Sequence, residues 1–203
     1  VPDDTEVIVL GDSSLLVTYL GADLHDTLLI PVCQAETWHL AVPHKVGEEL
    51  ARKLPQISRR AMRNWEWLIS NAHVEVLEKV AVGQGSQVVL KKVATLLEVK
   101  LTDLRQIKKN EGEAYVVAHA IEIANSGRLV KVAIDDAGGR EWAAAANLAI
   151  ITTESILGLA IERGIINNVS SLTSHYSVLQ SHGHLPSLSS TGLDTKCLSA
   201  YAH

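Results

Sequence analysis

The feature that most restricts this chain is an alternation of short apolar runs with longer stretches of helical period, sustained from residue 6 to residue 168. Runs such as EVIVL (6–10) and RLVKVAI (128–134) are too short for helices and too apolar for loops, so they read as strands buried on both faces. The stretches between them bring apolar residues back at helical spacing, as in Leu15, Leu16, Tyr19 and Leu20 after Asp12-Ser13-Ser14. An Asp or Ser there suits a helix N-cap. Strand–helix alternation of this kind predicts an α/β fold with a central, mostly parallel sheet and helices on both faces.

Thr27–Val32 reads as a strand or a buried helix. Pro43 starts a helix through Glu48, Glu49 and Leu50, and 58–70 (SRRAMRNWEWLIS) continues as helix. His73–Val80 alternates like a strand, Gly83-Gln84-Gly85 is a loop, Ser86–Val99 has helical period, and Thr102-Asp103-Leu104 caps another short helix. Helices are expected at Glu113–Ala124, Arg140–Ala146 and Ser155–Glu162, the last closed by Gly164, with a strand at Ala149–Thr152.

Beyond Asn168 the composition shifts to Ser, Thr, His and Gly, and the hydrophobic period fades. Residues 1–168 are therefore read as the folded domain. Residues 169–203 are read as a tail, partly disordered or docked through Tyr176, Val178 and Leu179, without which the domain is expected to fold.

At 47% hydrophobic and 20% charged the chain is globular in composition. No apolar run approaches the roughly 20 residues of a membrane span, and Val1-Pro2-Asp3-Asp4 lacks signal-peptide character, so a cytoplasmic protein is expected. Cys33 and Cys197 match no metal or redox spacing and read as free thiols. The net charge of −5 does not suit a broad nucleic-acid surface, yet acidic residues gathered at one site would lower net charge without removing a local basic rim.

The acidic residues are placed suggestively. Asp12 directly follows one strand and the pair Asp135-Asp136 directly follows another, while Glu113 opens a helix and Glu49 lies on the helix after Pro43. In open α/β sheets, sites form outside the carboxyl ends of strands. Carboxylates gathered there suit Mg²⁺ or Mn²⁺, which take oxygen ligands, polarise phosphoryl oxygens and activate water. Each residue also has a purely structural reading. Asp12 and one of Asp135-Asp136 can cap the next helix, Glu113 can favour a helix dipole, and Glu49 can lie on a solvated face.

These segments, taken in order, resemble the PIN-domain nucleases. Residues 133–166 (AIDDAGGREWAAAANLAIITTESILGLAIERGII) carry most of the likeness: a strand ending in an acidic pair, an Arg and a helix, an apolar strand ending in Thr, then another helix. Residues 110–118 (NEGEAYVVA) resemble the family's Gly-Glu-Ala helix start, 7–16 (VIVLGDSSLL) its opening strand and Asp, and 42–50 (VPHKVGEEL) its Pro-containing element. The resemblance implies a PIN-like fold with Asp12, Glu49, Glu113 and Asp136 as the acidic site and Asp135 as the alternate for the last position. Asp12, Glu113, Asp135 and Asp136 would be the metal ligands. It further implies an Mg²⁺- or Mn²⁺-dependent endoribonuclease, commonly the toxin partnered by an antitoxin protein. The segment past 168 has no counterpart in the resemblance.

Two other functions compete: a PIN-like module that binds RNA or a protein without cutting, and a phosphate-handling enzyme. The latter is weakened because Gly83-Gln84-Gly85 lacks the Lys and Ser/Thr of a phosphate loop. Arg59, Arg60 and Arg63 with Trp65 and Trp67 could grip RNA or simply form a half-buried helix. His175, His182, His184 and His203 fit a tail better than a zinc site. A homodimer is plausible on general grounds, with no interface assigned.

Overall fold

The computed structural model describes residues 7–77 and 111–201. The expected loop at 83–85, the helix at 86–99, the cap at 102–104, the last residues of the 73–80 strand and His203 lie outside the described residues.

Five parallel strands form one sheet in the order β3-β2-β1-β4-β5: β1 (Val7–Gly11), β2 (Trp38–Pro43), β3 (Glu75–Leu77), β4 (Val130–Ala133) and β5 (Ala149–Ile151). The fold is α/β with helices flanking the sheet, as the strand–helix alternation predicts. The chain steps from β1 outward to β2 and β3, then returns to the other side of β1 as β4. The β1–β4 pair is therefore the topological switch point, where the crossovers diverge and leave a crevice at the carboxyl ends of the strands.

Helix α1 (Ser13–Gly21) starts directly after β1, with Asp12 as its N-cap. A π-turn over His25–Leu29 runs into α2 (Ile30–Ala35), so Thr27–Val32 is helical rather than extended, with Leu28, Leu29, Ile30 and Val32 buried. Strand β2 was not anticipated. It is nevertheless the inner partner of β1, pairing Val7 with Trp38 through to Leu10 with Ala41. Pro43 ends this strand, where its missing N–H removes little from the ladder, and α3 (His44–Ile57) begins at the next residue. At Ser58 the backbone turns extended and its side chain accepts from Ala61 N–H at 2.9 Å, so α4 (Arg59–Ser70) is a separate helix from α3.

After the undescribed segment come α5 (Glu111–Asn125), α6 (Ala137–Ala145, between β4 and β5) and α7 (Thr153–Glu162). Gly164 follows α7 at φ +73°, the left-handed conformation that only glycine adopts cheaply.

The region after 168 is helical. It forms α8 (Val169–His182), α9 (Leu188–Thr191) and α10 (Leu193–Tyr201). Leu172, Tyr176 and Leu179 recur at i, i+4 and i+7 and are buried against the main core, as is Cys197. The reading of a faded period is thereby corrected: Ser and Thr spacers on the solvent face conceal a regular apolar stripe. Val178 is 40% exposed and is not an anchor. Helix α8 packs on α1 and α10 on α7. Tyr201 donates from its hydroxyl to Ile161 O at 2.6 Å, and Lys196 pairs with Glu162 at 2.7 Å. The segment is thus docked on the domain, through Leu172, Tyr176 and Leu179 rather than Val178.

Candidate functional site

The carboxyl ends of β1 and β4 lie side by side. Gly11 pairs with Ala133, and Asp12 N–H donates to Ala133 O at 3.0 Å, so Asp12 and the Asp135-Asp136 pair share one edge of the sheet. Asp12 is fully buried. Its Oδ2 accepts from Ser14 N–H at 3.1 Å and from the Ser14 hydroxyl, which is the helix cap expected of it. Its Oδ1 is also buried and has no hydrogen-bond partner among the described residues. Burial raises its pKa against the Ser14 hydrogen bonds, and the nearby Glu49 carboxylate adds to the rise.

Glu49, on α3, reaches toward the same place. A side chain on Gly112 would stand 2.7 Å from Glu49 Oε2 and 3.6 Å from Asp12 Oδ1, so both oxygens crowd one point beside α5. Gly112 leaves room for this approach, since an added methyl there would have to shift the Glu49 carboxylate. Lys53 holds the other Glu49 oxygen at 2.6 Å and donates to Ser13 Oγ at 3.2 Å, tying α3 to the start of α1.

Glu113 lies against α6. A Cβ on Gly139 would come within 3.1 Å of Glu113 Cγ and 2.8 Å of Ile134 Cγ2, so this glycine is needed for contact rather than for a soft turn. Burial pushes the Glu113 carboxyl up to about 7, with further upward contributions from Asp12, Glu49 and Asp136. Glu113, Asp12, Glu49 and Asp136 therefore share one electrostatic neighbourhood.

The acidic pair after β4 divides its tasks. Both Asp135 oxygens are occupied by Thr153, one by its N–H at 2.8 Å and one by its hydroxyl at 2.7 Å. This joins the end of β4 to the start of α7. Burial raises the Asp135 pKa in spite of these hydrogen bonds, with Glu154 and Asp12 contributing to the rise. Asp136 caps α6, its Oδ1 accepting from Gly138 N–H at 2.8 Å and Gly139 N–H at 3.3 Å.

Among the described residues, no three His, Cys, Asp or Glu side chains already stand as a ready-made ion-binding group. The donor set still suits a hard dication, because it is made of carboxylate oxygens and includes one buried oxygen, Asp12 Oδ1, that no hydrogen bond satisfies.

The structural contributions of Ser14, Lys53, Gly112, Gly139 and Thr153 were not read from sequence. Gly112 between Glu111 and Glu113 was the one available signal, since a glycine in the first turn of a helix costs stability unless something approaches closely. Trp65 is buried in the core and Trp67 packs edge-on to His25 and against His73, while Arg60 pairs with Asp23, so this helix offers only Trp67 as an exposed ring. No single helix among the described residues is long and apolar enough to cross a membrane. No protein-family model matches the chain, and no curated protein matches it.

Proposed function

We propose that Asp12, Glu49, Glu113 and Asp136 form an acidic site for Mg²⁺ or Mn²⁺, with Asp12, Glu113, Asp136 and the alternate Asp135 as the metal ligands, and that the protein hydrolyses RNA phosphodiester bonds. The observation that carries this reading is the fully buried Asp12, whose Oδ1 has no hydrogen bond among the described residues and lies beside Glu49 and in the field of Glu113. An unpaired buried carboxylate oxygen costs on the order of 1–3 kcal/mol or more, and a bound cation would remove that cost.

When bound, such an ion polarises a phosphoryl oxygen and makes a water nucleophilic near neutral pH. The chain's own residues supply the setting. Ser14 fixes the Asp12 carboxylate by its second oxygen, Lys53 holds Glu49 from the solvent side, and the N-terminus of α6 fixes Asp136 through Gly138 and Gly139. Asp135 would serve as the alternate acidic residue of the set, though Thr153 already engages both its oxygens. The resemblance to toxin-like nucleases adds an antitoxin protein to RNA as a proposed partner.

The satisfied state of Asp135 and the capping role of Asp136 favour a second reading, a module of the same fold that binds RNA or protein without cutting. Cleavage of single-stranded RNA separates the two. The first reading expects cleavage with Mg²⁺ or Mn²⁺ that stops with EDTA and with Asp12→Asn. A folded protein that leaves RNA intact with both ions would overturn it.

A further inference from the structure

The last helices bring a basic wall to the edge of the carboxylate cleft. His182 ends α8 and is seated on α1: a Cβ on Gly21 would come within 2.8 Å of His182 Nδ1, so the ring lies directly over that glycine. Gly183 packs equally closely on Thr18. Two hydrogen bonds then hold the chain that follows, as Tyr176 and Gln180 both donate to Pro186 O at 2.9 Å. Residues 182–186 are thus fixed to α1 and α8 at two points, with His184 between them and exposed.

This segment lines a groove of about 710 Å³ together with Ser14, Lys53, Asp136 and Arg140. A second depression of about 510 Å³ continues from it, and Asp135, Arg140 and His184 belong to both. Lys53 also lines the cleft that contains Glu49 and Glu113. The three hollows therefore lie side by side past the carboxylates, with Lys53 common to two of them and Asp135, Arg140 and His184 to another two. The side chains of Arg140, His182 and His184 engage in no hydrogen bond or ion pair among the described residues. Of the acids that line these hollows, Asp135 is occupied by Thr153 and Asp136 by Gly138 and Gly139, while Glu154 lies in the second depression beside Arg140 and His184.

We propose that residues 182–186 form one wall of a groove for single-stranded RNA, in which Arg140 and His184 hold a backbone phosphate beside the carboxylate cleft. The inference rests on the RNA reading of that cleft. Arg140 offers a planar fork of N–H donors suited to a phosphate, and a histidine ring donates from at least one nitrogen in either neutral tautomer. His182 acts as a positioning residue, holding the wall against α1. Adjacent hollows open to solvent suit a strand laid across them, whereas a free mononucleotide would favour an enclosed pocket.

The test is binding of the full chain to a fluorescein-labelled single-stranded oligoribonucleotide, read by anisotropy across a salt series in EDTA so that no cleavage interferes. Arg140→Gln and His184→Ala are each expected to weaken binding about three- to tenfold; Arg140→Gln should also reduce the slope of log affinity against log salt by about 0.7, the value for one lost single-strand phosphate neutralisation, whereas His184→Ala, which removes a neutral donor, should leave the slope nearly unchanged. His184→Glu should weaken it further. Arg163→Ala, at an exposed pair with Glu36 outside the groove, should bind like the parent protein. Because His184 is exposed and unbonded, its variants keep the test decisive if Arg140→Gln fails to fold. Parent-like binding by His184→Ala and His184→Glu overturns the groove, as does absence of any binding by the parent protein at low salt. Ion-dependent cleavage by the same preparation then judges the nuclease reading separately, so the two can fail independently.

Discussion

Asp12 and Asp135 begin from the same local grammar and end in opposite states. Each follows a parallel strand and precedes a helix, and the two strands are neighbours at the switch point of the sheet. Asp135 is fully used by the fold, with Thr153 donating to both oxygens. Asp12 is half used, with Ser14 on Oδ2 and nothing on Oδ1 among the described residues. Position in the chain therefore identifies where an acid can matter, while the unspent hydrogen-bonding capacity of its oxygens distinguishes a candidate ligand from a brace.

The sharpest way to break this comparison is to remove the charge of each in turn. Asp12→Asn preserves volume and can still accept from Ser14 through its amide oxygen. It should lower RNA cleavage by at least about 100-fold, the scale of losing one group that stabilises developing charge. Its melting temperature in EDTA should be no lower than the parent's, because an uncompensated buried charge has been removed. A cleavage rate equal to the parent's would reduce Asp12 to a helix cap.

The opposite pattern is expected at Asp135. Thr153→Val keeps the shape of the fully buried Thr153 but deletes the hydroxyl that donates to Asp135 Oδ2. The carboxylate keeps only the Thr153 N–H, and stability should fall by about 2 kcal/mol, as when a buried charged group loses one hydrogen-bond partner. Urea denaturation would measure this. An unchanged midpoint would mean that water replaces the hydroxyl and that Asp135 is as available to a cation as Asp12.

Much of this contrast was hidden from sequence for physical reasons. The strand ends of β1 and β4 were legible because buried parallel strands are continuous apolar runs, and the acids directly after them had to share an edge once the strands were parallel neighbours. Strand β2 was not legible, because His39 interrupts the apolar run of Trp38–Pro43 and its terminal Pro reads more strongly as a helix start. The role of Gly139 could not be read at all and that of Gly112 only as an unexplained helix glycine, since each depends on a side chain from a distant part of the chain, Glu113 and Glu49 respectively. In the last helices the stripe Leu172, Tyr176, Leu179 was present, but the Ser- and His-rich composition around it outweighed the spacing. What the oxygens of Asp12 and Asp135 bond to is a property of tertiary packing, and no local pattern carries it.

The smallest expected effect extends the comparison to Glu113, an acid whose charged neighbours Asp12, Glu49 and Asp136 are also acids. In the folded protein its carboxyl keeps a proton up to about 7, chiefly through burial and then through Asp12, against an ordinary value of 4.5 in the unfolded chain. Between those two values the folded state holds a proton that the unfolded state has released. Stability of the ion-free protein must therefore fall as pH rises from 4.5 toward 7, and above about 7 the full cost of the buried charge remains. Because Glu113 is partly exposed, solvent screening reduces that cost to on the order of 1–2 kcal/mol. Glu113→Gln cannot ionise, so in EDTA it should gain on the parent protein across this window, with urea midpoints similar at pH 4.5 and clearly higher for the variant at pH 8. Added Mn²⁺ should narrow the gap at pH 8 by stabilising the parent more than the variant, since an ion favours the ionised carboxylate. A gap that is constant across pH would show that Glu113 titrates normally and that its neighbours do not crowd it. A gap that opens with pH but ignores Mn²⁺ would leave the acidic cluster electrostatically real and remove the cation from its explanation.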